Sequence, residues 1–155
     1  ESARADAQRI RRSKLSSAKV RSNWMMLMAK EEIIKKTMSL VVEELKKYVA
    51  SDEYTAYLSK TIEELCVALG AEEVEVLLNE DDLKRGVDVS SISKNVSDRL
   101  GKPVRIVVKG ERISNIGGVI VRTADGRVAI NNTFEEIIAR REREIRLAIA
   151  QELLR

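Results

Sequence analysis

The sequence predicts an α+β protein, in which a long N-terminal helix precedes a head made of helices packed on a small, mainly antiparallel four-stranded sheet. All seven glycines and the only proline lie at or after Gly70, and helix interiors exclude these two residue types. Beyond Gly70, short alternating apolar runs separated by turn residues are typical of strands. Residues 1–50 carry a net charge of +6 and residues 51–155 a net charge of −3, which indicates two parts with different partners. We therefore expect a projecting stalk helix over residues 1–49 and an α+β head over residues 50–155.

The stalk helix needs a partner, because it would be roughly 70 Å long at about 1.5 Å per residue and would extend beyond a compact domain of this size. Apolar residues recur at a spacing of 11, as in Ala7, Ala18 and Ala29, which favours a right-handed or nearly straight coiled coil with a second helix. A solitary helix, or one packed on its own domain, is the alternative. The residues from Trp24 to Met28 form an apolar cluster that suggests partner contact on more than one face, although packing against the second helix competes. The predicted partner contacts are Ala7, Ala18, Trp24, Met25, Met28 and Ala29.

A second helix is predicted over residues 52–69. Ser51 is a favoured N-cap residue, acidic residues follow it in the first turn, and Gly70 is the expected C-terminal stop. Apolar side chains follow the i, i+3, i+4, i+7 pattern along the whole segment. Cys66 lies on this apolar face, so we interpret it as a small core residue rather than a nucleophile.

The first half of the head contains two predicted strands and one predicted helix. Residues 73–78 alternate as a half-buried strand, and residues 104–108 form a second strand after Pro103. Residues 88–100 have helical spacing and end at Gly101. The polar run at 79–82 lacks the glycine and distal glutamate of a calcium loop, so a solvated turn or helix start is favoured over a metal site.

The second half of the head contains the clearest hairpin, over residues 118–123 and 127–131. Asp125 and Gly126 form a typical two-residue turn, whose register places Val121 opposite Ile130 and gives the hairpin one apolar face. Thr133, Phe134, Glu135 and Glu136 have the spacing of a capping box, in which the Thr133 hydroxyl and the Glu136 carboxylate each satisfy one backbone amide. The final helix is expected from about residue 134 to 155.

No catalytic, cofactor-binding or metal-binding residue is predicted. The chain has no histidine and a single cysteine, which removes histidine-based catalysis and cysteine-only metal clusters. Gly117 and Gly118 lack the lysine and following helix of a phosphate loop, so a role in allowing a sharp strand start is favoured. The alternative function is a nucleic-acid- or ribosome-associated protein with a basic helical arm. It is disfavoured because the basic residues lie all round the helix and few aromatic residues accompany them.

Several segments resemble the E subunit of the A-type and V-type rotary ATPases. The signature runs from Gly117-Gly118 through Asp125-Gly126 to Asn132-Thr133-Phe134, and residues 30–34 and 144–146 are similar to the family's helix-to-head junction and C-terminal tail. The head residues matched to the signature are Gly117, Gly118, Asp125, Gly126, Asn132, Thr133 and Phe134, all with structural roles. Compared with family length, we expect the first 30 or more residues to be missing, and Arg143 stands where the family often has proline.

The resemblance implies a non-catalytic peripheral-stalk component, or stator, in a proton-translocating complex that makes or hydrolyses ATP. It implies that the long helix pairs with a second helical protein of the G or H type. It also implies that the head contacts the nucleotide-binding B subunit, and that the N-terminal end reaches the membrane sector. The expected location is the cytoplasmic side of the membrane, as a peripheral protein. No cofactor or small-molecule substrate is expected, and self-association of the isolated chain is left open.

Overall fold

The structure is a computed structural model that describes residues 2–114 and 116–153. It contains five helices and four strands among those residues, and it confirms the predicted α+β class. In chain order the elements are α1 (Ser2–Val49), α2 (Asp52–Leu69), β1 (Glu73–Leu78), α3 (Glu80–Arg85), α4 (Val89–Leu100), β2 (Arg105–Gly110), β3 (Gly118–Thr123), β4 (Ala129–Thr133) and α5 (Phe134–Leu153). The polar run after β1 is therefore a helix start, as one of the two sequence interpretations proposed. The predicted end of the last helix at residue 155 lies outside the described residues.

The four strands form one mixed sheet in the order β2-β1-β3-β4. β1 pairs in parallel with β2, whereas β3 runs antiparallel to both β1 and β4. The parallel pair needs a crossover, and α3 with α4 supplies it. The predicted hairpin register is correct, because Val121 pairs with Ile130.

Contacts divide the chain into two units. One unit extends from Val41 to Glu144 and contains the sheet, three complete helices and the last turns of α1. The other contains the residues up to Leu40 and those from Ile145 onward. The division into residues 1–49 and 50–155 suggested by the sequence stays a prediction.

The core of the Val41–Glu144 unit lies between one face of the sheet and the helices. α2 packs against both α4 and β3, as its continuous apolar face predicts. Val119 and Val121 of β3 are fully buried in this core, which confirms the predicted apolar face for this strand, whereas Val128 after the turn is 52% exposed. Side chains from the end of α1 also pack against it, namely Val42, Leu45, Tyr48 and Val49.

A charged network joins β1, β2 and β3. Glu75 accepts hydrogen bonds from Lys109 and, at 2.7 Å, from Arg122 Nε. Arg122 Nη2 also lies 3.5 Å from Glu111. The hydrogen bond from Lys109, followed by that from Arg122, lowers the pKa of Glu75 below its ordinary value. These cross-strand pairs help to fix the strand register, and their desolvation cost is limited because the Lys109 and Arg122 side chains remain 44% and 31% exposed.

The predicted N-terminal caps of α2 and α5 are both present, but their hydrogen bonds differ from those expected. Ser51 is the N-cap of α2, but its hydroxyl donates to the Tyr48 carbonyl at 2.7 Å instead of accepting from a backbone amide. At the start of α5, the Glu136 amide donates to the Thr133 hydroxyl at 3.4 Å, as predicted. The reciprocal bond from Glu136 was predicted wrongly, because the Thr133 amide donates to Asn131 Oδ1 at 3.0 Å. Asn131, and not Glu136, therefore accepts the hydrogen bond of the Thr133 amide at the start of α5.

The hairpin turn also differs from the prediction. The Gly126 amide donates to the Thr123 carbonyl at 2.8 Å, which places Ala124 and Asp125 at the two central positions. A two-residue turn centred on Asp125 and Gly126 would need positive φ at both residues, but only Gly126 has it, at +69°. Gly126 instead follows the turn in the left-handed conformation that glycine adopts without strain.

Candidate functional site

Helix α1 exposes an unusual amount of apolar surface. Ten large apolar side chains along it are each at least 41% exposed: Ile10, Leu15, Val20, Trp24, Met25, Met26, Leu27, Met28, Ile33 and Leu40. Soluble proteins rarely expose contiguous apolar surface on this scale unless it contacts a partner. A long helix also gains most of its stability from packing. This surface is the strongest candidate site in the described chain.

All six predicted partner contacts lie on this exposed helix. Trp24, Met25 and Met28 are 61%, 67% and 66% exposed, and the three alanines, Ala7, Ala18 and Ala29, are also exposed. Residues 24–28 are five consecutive apolar residues, and each successive residue turns about 100° around a helix, so together they present apolar surface on every side. The site is therefore accessible to a partner, and its occupation stays a prediction.

The head signature begins at two glycines that no other residue could replace without rearrangement. A Cβ atom at Gly118 would lie 2.6 Å from the Asn132 carbonyl oxygen and 2.7 Å from Thr133 Cα, and the φ angle there is +101°. A Cβ atom at Gly117 would lie 2.8 Å from the Tyr54 hydroxyl oxygen. These glycines allow β3 to begin against β4 and α2, so the sharp strand start expected from the sequence is present.

Behind these glycines, Tyr54 is the centre of a buried polar network. Its hydroxyl donates to Asp82 Oδ2 at 2.8 Å and accepts from the Gly118 amide at 2.7 Å. Asp82 is fully buried, and its Oδ1 atom accepts no hydrogen bond in the described structure, although Arg85 Nε lies 3.7 Å away. The Arg85 guanidinium also lies 5.5 Å from the centre of the Tyr54 ring. The network ties α2, α3 and β3 together.

Burial is the main cause of the shifted pKa values of Tyr54 and Asp82. Desolvation raises the pKa of Asp82 above its ordinary value, and the hydrogen bond from Tyr54 and the charge of Arg85 only partly offset that effect. Desolvation also raises the pKa of the Tyr54 hydroxyl, so it stays protonated and can donate to Asp82. Local sequence patterns do not reveal this network, because Tyr54 and Asp82 are 28 residues apart and each fits an ordinary helix pattern.

The rest of the signature stabilises the hairpin and the start of α5. Asp125 Oδ1 accepts from the Thr123 hydroxyl at 2.5 Å and from the Arg127 amide at 3.0 Å, which lowers the pKa of Asp125. Asn132 Oδ1 accepts from Arg140 at 3.3 Å. Phe134 lies among the rings of Tyr48, Tyr54 and Tyr57 with centroid distances of 5.9–6.4 Å. The residues matched by resemblance are thus brought together as structural elements of the head.

The loop before β3 is held by the first turn of α5. Glu135 Oε1 accepts from the Ile116 amide at 3.0 Å, and its Oε2 accepts from the Ser114 hydroxyl at 2.6 Å. The same hydroxyl oxygen accepts from the Gly117 amide at 2.8 Å. Glu135 therefore positions the glycine pair, a role that its place in the capping-box pattern did not indicate.

Two further segments matched by resemblance meet in the other unit. Arg146 Nη1 donates to both carboxylate oxygens of Glu31, at 3.0 Å each. Both side chains are partly exposed, so this pair stabilises the contact only modestly. The sequence separation of 115 residues hid the pair from pattern reasoning.

The described residues offer little catalytic chemistry. Cys66 is fully buried and burial raises its pKa to about 12, which keeps the thiol protonated and unreactive. In residues 2–114 and 116–153, no cluster of three histidine, cysteine, aspartate or glutamate side chains could hold a metal ion. The geometry instead suits contact with other proteins. Over the same ranges, no helix has the length and apolarity required to cross a membrane.

Comparison with known proteins places the chain in a family. The model for the ATP synthase (E/31 kDa) subunit matches residues 1–154. The chain is 39% identical over 140 residues to the E subunit of the A-type ATP synthase of Thermococcus kodakarensis, covering 90% of this chain and 68% of that protein. It is 35% identical over 143 residues to that of Desulfurococcus sp., again covering 90% and 68%. It is 33% identical over 150 residues to that of Methanococcus maripaludis strain C6, covering 96% and 73%. The chain therefore belongs to the E-subunit family of the A-type and V-type rotary ATP synthases.

Proposed function

We propose that this chain is a non-catalytic peripheral-stalk component, a stator that links the catalytic head of a proton-translocating A/V-type ATP synthase to its membrane sector and resists rotor torque. The single observation that carries the proposal is the exposed apolar surface of α1. A strut must be held along its length by another component, and this helix has apolar surface available for that contact.

In this proposal, residues 1–49 are the stalk and pair with a second helical protein of the G or H type. The contact includes Ala7, Ala18 and Ala29, whose small side chains allow close helix approach, and the larger residues Trp24, Met25 and Met28. Their exposure supports this assignment. Pairing would also stiffen the helix, which as a single rod would bend under lateral load.

Residues 50–155 would form the head, which contacts the nucleotide-binding B subunit, while the N-terminal end reaches a protein of the membrane sector. The chain would lie on the cytoplasmic side as a peripheral membrane protein. Its well-packed core, closed by the Tyr54 network, supports a role as an anchor under load. The inert Cys66 and the lack of histidine are consistent with a protein that acts by binding alone.

The proposal is tested with the double variant Met25→Asp/Met28→Asp in the assembled enzyme. The two carboxylates would be desolvated by a partner helix, so they should weaken the contact. We expect ATP hydrolysis by the catalytic head to continue while ATP synthesis and ion transport fall together, since rotation would no longer be resisted.

The matched control is Ser39→Asp/Ser90→Asp, which adds the same charge at exposed polar positions away from the predicted partner contacts and removes no apolar side chain. We expect this variant to retain coupling. Equal coupling in the two double variants, at equal content of this chain in the complex, would contradict the proposed function.

A further inference from the structure

The segment of α1 between Ala7 and Ala29 carries charge of one sign only. Between Ala7 and Ala29 the sequence has six basic residues and no acidic residue: Arg9, Arg11, Arg12, Lys14, Lys19 and Arg21. Arg9 lies 3.5 Å from Asp6. For the other five cations, the described chain provides no carboxylate at ion-pair distance. Further along the same helix, by contrast, ion pairs join Glu32 to Lys36 and Glu44 to Lys47.

Some of these cations share a surface with exposed apolar groups. Arg11 and Lys14 line a shallow groove on α1 together with Ala7, Ile10, Leu15 and Ala18. Because they are three residues apart, the two cations lie on one side of the helix. A helix lying in this groove would therefore contact apolar side chains and two positive charges at once. Complementary charges beside an apolar seam determine which helices pair.

We propose that residues 7–29 bind an acidic amphipathic helix, and that their uniform positive charge prevents two copies of this chain from pairing along this segment. The inference rests on the proposed function and adds the chemistry of the partner. Two copies of the segment would place six positive charges against six, and repulsion of that kind is a recognised means of excluding self-pairing. An acidic helix covers the apolar groove and neutralises the cations beside it.

A nucleic acid fits this surface less well than an acidic helix. Phosphates would neutralise the cations, but they offer no apolar surface to cover Ile10 and Leu15, which are 54% and 62% exposed. Preferential binding to RNA or to anionic lipid would therefore contradict the proposal.

The test uses three designed helical peptides with the same apolar positions and with glutamate, glutamine or lysine at the remaining positions. Trp24 is the only tryptophan, lies within the segment and is exposed, so a blue shift of its emission reports peptide binding. We expect the glutamate peptide to bind the full chain at least about tenfold more tightly than the lysine peptide. That preference should decrease as NaCl is raised to about 0.5 M, because salt screens exposed charges.

The charge-reversed variant Arg11→Glu/Lys14→Glu should weaken binding of the glutamate peptide by about tenfold and strengthen binding of the lysine peptide. The control Lys94→Glu/Arg105→Glu makes the same change in net charge at exposed positions in the other unit and should leave both affinities unchanged.

Other results overturn the inference. Equal affinity for the glutamate and glutamine peptides would show that apolar contact alone selects the partner. The proposed pairing of the stalk with a second helical protein would then still stand. Tighter binding to a 20-nucleotide RNA or to anionic phospholipid vesicles than to the glutamate peptide would reject an acidic helix as the occupant. Absence of binding to all three peptides, with coupling still lost in Met25→Asp/Met28→Asp, would reject the inference while leaving the proposed function standing.

Discussion

Replacement of Tyr54 by phenylalanine should destabilise the Val41–Glu144 unit by about 3 kcal/mol. The change preserves the ring and removes only the hydroxyl that joins Asp82 Oδ2, at 2.8 Å, to the Gly118 amide, at 2.7 Å. A buried amide left without an acceptor costs about 1–3 kcal/mol, and a hydrogen bond to a charged group contributes about 1.5–3 kcal/mol. Among the described residues, Asp82 would then keep only Arg85, at 3.7 Å, because its Oδ1 atom already accepts no hydrogen bond from them.

The assay is urea unfolding followed by the near-ultraviolet circular dichroism of the aromatic cluster, since Tyr48, Tyr54, Tyr57 and Phe134 lie within 6.4 Å of one another by ring centroid. The matched control is Tyr57→Phe, which removes the same group outside the network and should change stability by less than about 0.5 kcal/mol. A loss below about 1 kcal/mol for Tyr54→Phe, or equal losses in the two variants, would refute the reasoning that the hydroxyl bridge stabilises this unit.

Three further predictions concern backbone geometry, the stalk and pH. Gly118→Ala should prevent or severely weaken folding, because its Cβ would lie 2.6 Å from the Asn132 carbonyl oxygen. A Cβ atom at Gly126 would have no described atom within 4 Å, so Gly126→Ala should cost only about 1 kcal/mol, for its φ of +69°. Thermal melts in which Gly126→Ala is the more destabilised of the two variants would contradict this. Ala18→Pro should lower the helix content measured by far-ultraviolet circular dichroism, because an interior proline destabilises a helix by about 3 kcal/mol. The near-ultraviolet signal of the aromatic cluster should not change, and loss of hydrogen-exchange protection in the β3–β4 hairpin would disprove this. Burial raises the pKa of Asp82, so its folded form binds a proton that the unfolded form has released, and its contribution to stability falls as pH rises from the ordinary value through the raised one. In urea titrations at increasing pH, the free energy of unfolding of Asp82→Asn should therefore rise relative to that of the parent chain between the ordinary and the raised pKa of Asp82. A difference between the two chains that does not change with pH would contradict this.

Patterns that depend on local spacing predicted most of the fold. The glycine-free first 69 residues correspond to α1 and α2, and Gly70 and Gly101 end their helices with positive φ angles of 64° and 66°. The hairpin register followed from the position of Asp125 and Gly126 between the two strands, and apolar alternation agrees with it, because a slip of one residue would have turned Val121 out of the core. The burial of Cys66 followed from its place on an apolar helix face.

The features that local patterns missed depend on tertiary contacts. The hydroxyl of Ser51 has a backbone carbonyl within reach as well as a backbone amide, and only the path of the chain decides which it bonds. The turn at Gly126 could be assigned to two centres, because Asp-Gly is compatible with more than one turn type. The Tyr54–Asp82 bond and the Glu31–Arg146 pair join distant segments, and nothing in the spacing of a single helix indicates such a partner.

The central claim is that α1 is held by another protein of the complex. A photo-reactive amino acid placed at position 25 of the chain within the purified ATP synthase tests it most directly, with the same group at Lys94 as the control. We expect an adduct between position 25 and a second, helical protein, and no adduct to that protein from position 94. Adducts from position 25 formed only within the same chain, or none at all under conditions in which the complex remains assembled, would contradict it.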